Sequence, residues 1–144
     1  MKKSITTIAT AMLLLFTLNA YAANNNNNNS PARFMETTHL VNSYLAATVF
    51  GVTTYGKSLF TADFLFTNTA TGKKYQRTAY SSFLVANKGL IYNCSTSYDI
   101  LDESEFVCMA KATMKFKDFT REDYITLTNS NEGWKVSQVI SSYL

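Results

Sequence analysis

Residues 110–143 read AKATMKFKDFTREDYITLTNSNEGWKVSQVISSY, and this stretch decides the fold. Its runs alternate in side-chain character with a period of two, the period of a strand whose two faces meet different surroundings. In the run from Phe106 to Phe116 the faces assign themselves. Lys111, Lys115 and Lys117 share one side with Met109 and Thr113, while Phe106, Cys108, Ala110, Ala112, Met114 and Phe116 share the other. The second side is predicted to be buried. Ala110 and Ala112, small between larger neighbours, leave room there for a closely packed helix or a pocket. Two further strands, Glu122–Thr128 and Trp134–Tyr143, flank a turn predicted at Asn129–Gly133.

Upstream, residues 90–101 (LIYNCSTSYDIL) also alternate and join the Phe106 run through an acidic turn predicted at Asp102–Ser104. Before Leu90 the period becomes helical. Ser30 is suited to an N-cap, Pro31 to the first helical position and Gly51 to the left-handed residue just past the end. Between them Phe34, Thr38, Val41, Leu45 and Val49 recur at helical spacing, with Tyr44 and Thr48 beside them. A shorter helix is predicted over Thr54–Phe60, interrupted by Gly56. Residues 63–77 read as two short strands about a turn near Thr71 and Gly72. A third helix is predicted over Thr78–Asn87, with an apolar stripe of Tyr80, Phe83 and Leu84 and a stop at Gly89. Helices first and an antiparallel meander afterwards is the pattern of an α+β domain.

The opening of the chain is written for export. Lys2 and Lys3 precede an apolar run from Ile8 to Leu18, followed by Ala20, Tyr21 and Ala22, so residues 1–22 read as a secretory signal peptide cleaved after Ala22. The apolar run is too short for a stable membrane span, and no later segment is long and apolar enough. No cysteine stands near the cleavage point to carry a lipid anchor. The expected location is periplasmic or secreted. Six asparagines, Asn24–Asn29, make residues 23–31 a solvated linker, and residues 32–144 make one domain. Of the 13 basic residues two leave with the signal, so eleven face 10 acidic ones and the mature balance is +1. Nothing in that charge draws the domain to nucleic acid or to an anionic membrane. Cys94 and Cys108, the 2 cysteines, would meet an oxidising compartment. A disulfide and two buried thiols that never meet are both open readings.

The tail also carries a resemblance. Asp123, Tyr124, Ile125 and Leu127, followed by Gly133, Trp134, Lys135 and Val136, resemble the closing strands of the nuclear transport factor 2-like superfamily, and specifically of the branch labelled lumazine-binding. The first half agrees in layout: a long helix, Gly51, a short helix ending at Leu59 and Phe60, then Asp63 and Phe64. The resemblance implies a cone, with long helices packed on the concave face of a strongly bent, mainly antiparallel sheet and a cavity between. It implies that the Trp134–Tyr143 strand lies within the sheet. Members of the superfamily include isomerases, dehydratases, epoxide hydrolases and cyclases alongside many without chemistry, so the fold alone does not select a function.

For catalysis the residue to examine is Asp123. It alternates in step with Ile125 and Leu127, and if that set faces the cavity a carboxylate stands within it; relatives use such carboxylates as acids and bases, with a tyrosine as hydrogen-bond donor. Asp123 and Tyr124 are the catalytic candidates. Against this, Asp123 can cap a strand end and pair with Arg121 or a lysine, and a shifted register would instead turn Tyr124 and Thr126 inward. Tyr44, Tyr98, Met114 and Trp134 are the candidate ligand-cavity lining, with ordinary core packing as the rival reading. His39, the 1 histidine, lies about 140° round the helix from Phe34 at ~100° per residue and reads as a surface side chain with Asn42 and Ser43. A single histidine excludes two-histidine metal sites. Asp99, Asp102, Glu103 and Glu105 lack the alternating ligands and central glycine of a calcium loop and read as a solvated turn. No phosphate loop, nucleophile elbow or paired-cysteine metal spacing is present. No cofactor or metal is therefore expected. The favoured reading is an exported, non-catalytic domain holding a small apolar or aromatic ligand, or a protein partner, in its cavity. The alternatives are a small cavity enzyme (isomerase, dehydratase or hydrolase) using Asp123 with a tyrosine, and a structural module dimerising through the outer sheet face, where Val107 and Met109 interrupt the lysines.

Overall fold

The computed structural model describes residues 31–144, with side chains from Phe34 onward. The export signal, the asparagine tract and the Ser30 cap lie outside the described residues. The helices are α1 (Pro31–Val49) and α2 (Arg77–Ala86), with a short 3-10 helix at Gly56–Leu59. The strands are β1 (Phe60–Asn68), β2 (Lys74–Gln76), β3 (Ser95–Glu103), β4 (Val107–Lys115), β5 (Thr120–Ser130) and β6 (Gly133–Tyr143). They form one mixed sheet in the order β2-β1-β6-β5-β4-β3, in which only the β1–β6 pairing is parallel. The sheet stays open, with β2 and β3 at its edges.

The meander from β3 to β6 follows the alternation. On β4 Cys108, Ala110, Ala112 and Met114 are buried, and on β5 Asp123, Ile125 and Leu127 are buried. The pairings Cys108↔Leu127, Ala110↔Ile125 and Ala112↔Asp123 set these residues side by side on the concave face. On β6 the buried set is Trp134, Val136, Val139 and Ser141, which changes phase midway. A register shift does this: Leu127 pairs with Val136 but Thr126 pairs with Gln138, leaving Ser137 as the extra residue. Similar irregularities interrupt the β3–β4 and β1–β6 pairings. Such bulges bend and twist a sheet, and here they curl it around α1. The phase change puts Ile140 on the outer face, not in the core where its aliphatic side chain suggests it belongs.

α1 lays Thr37, Val41, Tyr44, Leu45 and Thr48 on the sheet, the i, i+4, i+7 stripe of an amphipathic helix. The Thr37 hydroxyl donates to Glu103 Oε1 at 2.9 Å, tying the start of the helix to the end of β3. Phe34, expected on the core face, lies a turn beyond that tie and is exposed, and Ser43, expected on the polar face, is buried. At the other end Gly51 is required twice over. Its φ is +64°, and a Cβ there would sit 2.5 Å from the backbone nitrogen of Gly89. That nitrogen donates to the Gly51 carbonyl at 3.0 Å, clamping α1 to the loop after α2.

Other boundaries move for local reasons. The helix expected over Thr54–Phe60 shrinks to the 3-10 turn because Gly56 takes a positive φ of 49°, and Phe60 already begins β1. Residues 90–94 do not join the sheet as expected: the Tyr92 amide donates to the Val49 carbonyl, so this segment crosses the end of α1. The β3–β4 turn falls at residues 104–106, not 102–104, after a bulge at Leu101. Phe106, expected inward, is therefore a turn residue and is exposed. The same shift separates the cysteines. Cys108 faces Glu103, whereas Cys94 precedes Ser95, whose partner Lys115 lies seven residues further along β4, roughly 23 Å at ~3.3 Å per residue. Both thiols are free.

Candidate functional site

Arg121 and Asp123 share the concave side of β5, two residues apart in the same phase as Ile125 and Leu127. Asp123 is fully buried, and Arg121 keeps 17% of its side chain exposed. Arg121 grips the carboxylate side-on: Nε donates to Oδ1 at 2.8 Å and Nη2 to Oδ2 at 2.7 Å. Nε also donates to Ser141 Oγ at 2.9 Å, from the strand position that pairs with Asp123. From the helix layer the Tyr44 hydroxyl donates to Asp123 Oδ2 at 2.6 Å. Since Tyr44 has one proton and gives it to Asp123, the 3.3 Å contact between Tyr44 and Tyr80 is one in which Tyr80 donates. The chain of groups thus runs Tyr80, Tyr44, Asp123, Arg121, Ser141.

Burial sets the protonation of this network. It pushes the Tyr44 phenol well above its usual pKa, with the neighbouring Asp123 charge adding to the rise. It pushes Tyr80 up to about 12, a rise that Arg121 opposes and Asp123 reinforces. For Arg121 burial alone would lower the pKa, but Tyr44 and Asp123 outweigh it and the guanidinium is held charged. Both phenols are therefore neutral donors beside a charged pair at ordinary pH. A buried, bidentate carboxylate–guanidinium pair with a further donor on the carboxylate is the arrangement in which such a pair is sustained. Asp123 accepts three hydrogen bonds, from Nε, Nη2 and Tyr44. It holds Arg121 in place more than it offers a lone pair to a substrate proton.

Arg121 is also the wall between two clefts at the open end of the cone. One, of about 230 Å³, is bounded by Phe66, Tyr75, Tyr80 and Asn68. The other, of about 440 Å³, is bounded by Thr48, Val49, Tyr92, Met114, Phe116 and Phe119. Phe83, Arg121 and Tyr143 belong to both. The aromatic walls hold one another: Tyr80 stacks on Phe66 with ring centroids 4.6 Å apart, and Phe116 stacks on Phe119 at 4.5 Å. The Arg121 guanidinium carbon lies 5.9 Å from the Phe66 ring centre. No aspartate or glutamate lines either cleft.

Of the residues singled out in the sequence, Asp123 and Tyr44 meet in the buried network and Met114 lines the larger cleft. Tyr98 lies opposite Ala112 on the concave face, half-buried against the core. Trp134 is a core residue away from both clefts, paired across the strands with Asn129. Tyr124 stands on the convex face, exposed, with its hydroxyl donating to Glu122. The register with Tyr124 and Thr126 inward is thus not the one adopted. His39 is exposed and meets Tyr55 edge-on. Among the described residues no group of histidine, cysteine, aspartate and glutamate side chains could hold a metal ion, and no helix is long and apolar enough to cross a membrane. The sequence reading missed Phe83 and Tyr143, and took Arg121 only as a partner for Asp123. One signal was available: Arg121 is the sole arginine in the strands, and it sits in phase with the buried set of β5.

The fold recurs in solved structures. A protein of unknown function from Pectobacterium atrosepticum superposes with a TM-score of 0.67 at 14% identity, over 83% of this chain and 97% of its own. A nuclear transport factor 2-like protein of unknown function from Silicibacter pomeroyi gives 0.64 at 12% identity, over 80% and 99%. Another, from Methylobacillus flagellatus, gives 0.64 at 15% identity, over 80% and 94%. The chain has the nuclear transport factor 2-like fold. No family model and no curated protein matches it, and none of these comparisons supports the lumazine-binding branch.

Proposed function

We propose that this protein is an exported, non-catalytic binding domain that takes a small, largely aromatic or apolar ligand into the open end of its cone. The observation that carries the reading is the pair of aromatic-walled clefts meeting at one mostly buried arginine, while Asp123, the obvious catalytic candidate, is already committed to three donors. Export rests on the signal-like residues 1–22. Apolar walls with a single oriented polar group are the usual make-up of a small-molecule site. Purified protein kept in its non-covalent state in the mass spectrometer should carry an extra mass that is lost on denaturation. Turnover of a small carbonyl or epoxide substrate, lost in a folded Asp123→Asn variant, would replace this reading with the cavity-enzyme one.

A second reading, assembly through the outer sheet face, is favoured by one observation. Val107, Met109, Tyr124 and Ile140 are exposed large side chains on the convex face, beside its Lys111–Glu122 ion pair. Sedimentation of the protein with Met109→Lys and Ile140→Lys, against the unaltered chain, tests it. A dimer that the substitutions dissociate supports assembly, and a monomer at high concentration dismisses it.

A further inference from the structure

The polar atoms of the clefts, taken one by one, leave an excess of donors. Tyr80 gives its proton to Tyr44. Asn68 is used on both sides, Oδ1 accepting from the Thr71 amide at 3.1 Å and Nδ2 donating to the Tyr143 hydroxyl oxygen at 3.4 Å. Thr48 spends its proton on the Tyr44 carbonyl and keeps its hydroxyl oxygen as an acceptor, while the Tyr75 and Tyr92 hydroxyls each bring one donor with their acceptor oxygen and do not alter the balance. Arg121 uses Nε and Nη2 on Asp123 and Ser141 and also hydrogen-bonds the Tyr80 hydroxyl, so what its fork keeps for another partner lies on the Nη1 side, outside the ion pair. Tyr143, whose oxygen accepts from Asn68, keeps its own proton for another partner. Arg121 and Tyr143 are direct cross-strand partners, and both reach both clefts. Side chains opposite one another on one face of a sheet stand about 5 Å apart at Cβ, close enough for both to reach one small group.

We propose that the ligand is a small monocarboxylate with an aromatic or branched apolar body, its carboxylate held by the Nη1 side of the Arg121 guanidinium and by the Tyr143 hydroxyl. This rests on the binding reading above and narrows it. A planar two-oxygen acceptor matches the fork of an arginine. Arg121 and Asp123 cancel in charge and no lysine lines either cleft, so the clefts offer hydrogen-bond donors and no net positive charge; a single negative charge spread over two oxygens is the most they suit, and a phosphate dianion would be uncompensated. The clefts, about 230 and 440 Å³, fall below and in the lower part of the ~300–1,000 Å³ common for drug-sized ligands, which limits the body to about one or two rings. Asp123 acts here as a positioning residue, fixing the guanidinium so that its outer edge points to the cleft.

The test is calorimetric titration of the purified protein with phenylacetate, indole-3-acetate and hexanoate, each beside its neutral amide. An acid should bind roughly tenfold more tightly than its amide, the difference between a charge-assisted and a neutral acceptor. That preference should shrink in Tyr143→Phe, a half-exposed position where the fold has little at stake. It should vanish in Arg121→Gln combined with Asp123→Asn, which leaves no unpaired buried charge. Acid and amide binding equally, or a preference untouched in both variants, would overturn the carboxylate assignment while leaving the binding domain intact. No binding of any acid or amide at millimolar concentration would overturn both.

Discussion

Strand β5 carries two regions that obey the same alternation and do opposite things. Ile125 and Leu127 project from its concave face into side chains from β4, β6 and α1, and are sealed there. Arg121 and Asp123 project from the same face two and four residues earlier, and they build a buried ion pair that opens onto two clefts. Hydrophobic burial holds the first region, where each methylene taken from water adds to stability. In the second, two charges have been desolvated and must repay that cost with hydrogen bonds. The closed end therefore maintains the fold, and the open end is where the fold gives up some stability to place a charged group beside space.

The largest test of that division is removal of β6. It lies between β1 and β5, so deleting Trp134–Leu144 takes away the partner of both and uncovers Leu127, Ile125 and Phe66 at once. Thermal melting followed by circular dichroism should lose its cooperative transition; a sharp melt would mean that the closed end does not depend on this strand. Next comes Asp123→Ala, which strands the Arg121 charge and should cost about 3 kcal/mol, the low end of the ~3–5 kcal/mol seen for broken buried pairs because the clefts admit water. Leu127→Ala should cost a similar ~2–5 kcal/mol through a cavity. The two regions separate in how they respond to a second change. Replacing the pair together, Arg121→Met with Asp123→Leu, should restore most of the loss measured by urea unfolding. If the double variant remains as unstable as Asp123→Ala, the ion pair is part of what holds the fold and the division fails.

The closed end was legible in the sequence because a buried strand face writes itself as alternation. Ala110, Ala112, Met114, Ile125, Leu127 and Val136 all lie where the period of two puts them. Legibility failed where the backbone departs from regularity. The extra residue at Ser137 changes the phase of β6 and turns Ile140 outward, and the bulge at Leu101 moves a turn and exposes Phe106. Neither bulge residue differs in type from its neighbours in a way that announces it. The open end was legible only in part. Alternation placed Asp123 inward, but what faces it comes from α1 and α2, roughly forty to eighty residues away in the chain, and no local pattern couples Tyr44, Tyr80 and Asp123. Tyr143 and Phe83 enter the clefts through tertiary packing that a strand or helix period does not encode.

Alkaline pH should act on the open end through its two buried phenols, separately from the Cys108 thiol of the closed end, which burial pushes up to about 11. The folded state raises the Tyr80 pKa from 10.0 to about 12 and raises that of Tyr44 as well, so folding favours the protonated phenols. Their contribution is fully present below pH 10 and is lost as the pH rises through about 12. Unfolding free energy should therefore be insensitive to tyrosine ionisation up to about pH 10 and fall above it. In Tyr44→Phe the baseline drops by about 1 kcal/mol for the lost hydrogen bond, and the alkaline fall becomes shallower. An unchanged alkaline slope would show that these phenols are not the groups whose burial resists ionisation.

The smallest effect sharpens the comparison most. Tyr143 is half-exposed, and its hydroxyl oxygen accepts a long 3.4 Å bond from Asn68. Removing that oxygen in Tyr143→Phe keeps the ring against Phe119 at the mouth and should change stability by less than about 0.5 kcal/mol, as surface substitutions usually do. A residue that contributes to the fold through its ring alone can carry a hydroxyl that answers only to a ligand. If Tyr143→Phe destabilises the protein by as much as Tyr44→Phe, its hydroxyl belongs to the structural network, and the boundary between the two regions lies further out along β6 than the clefts suggest.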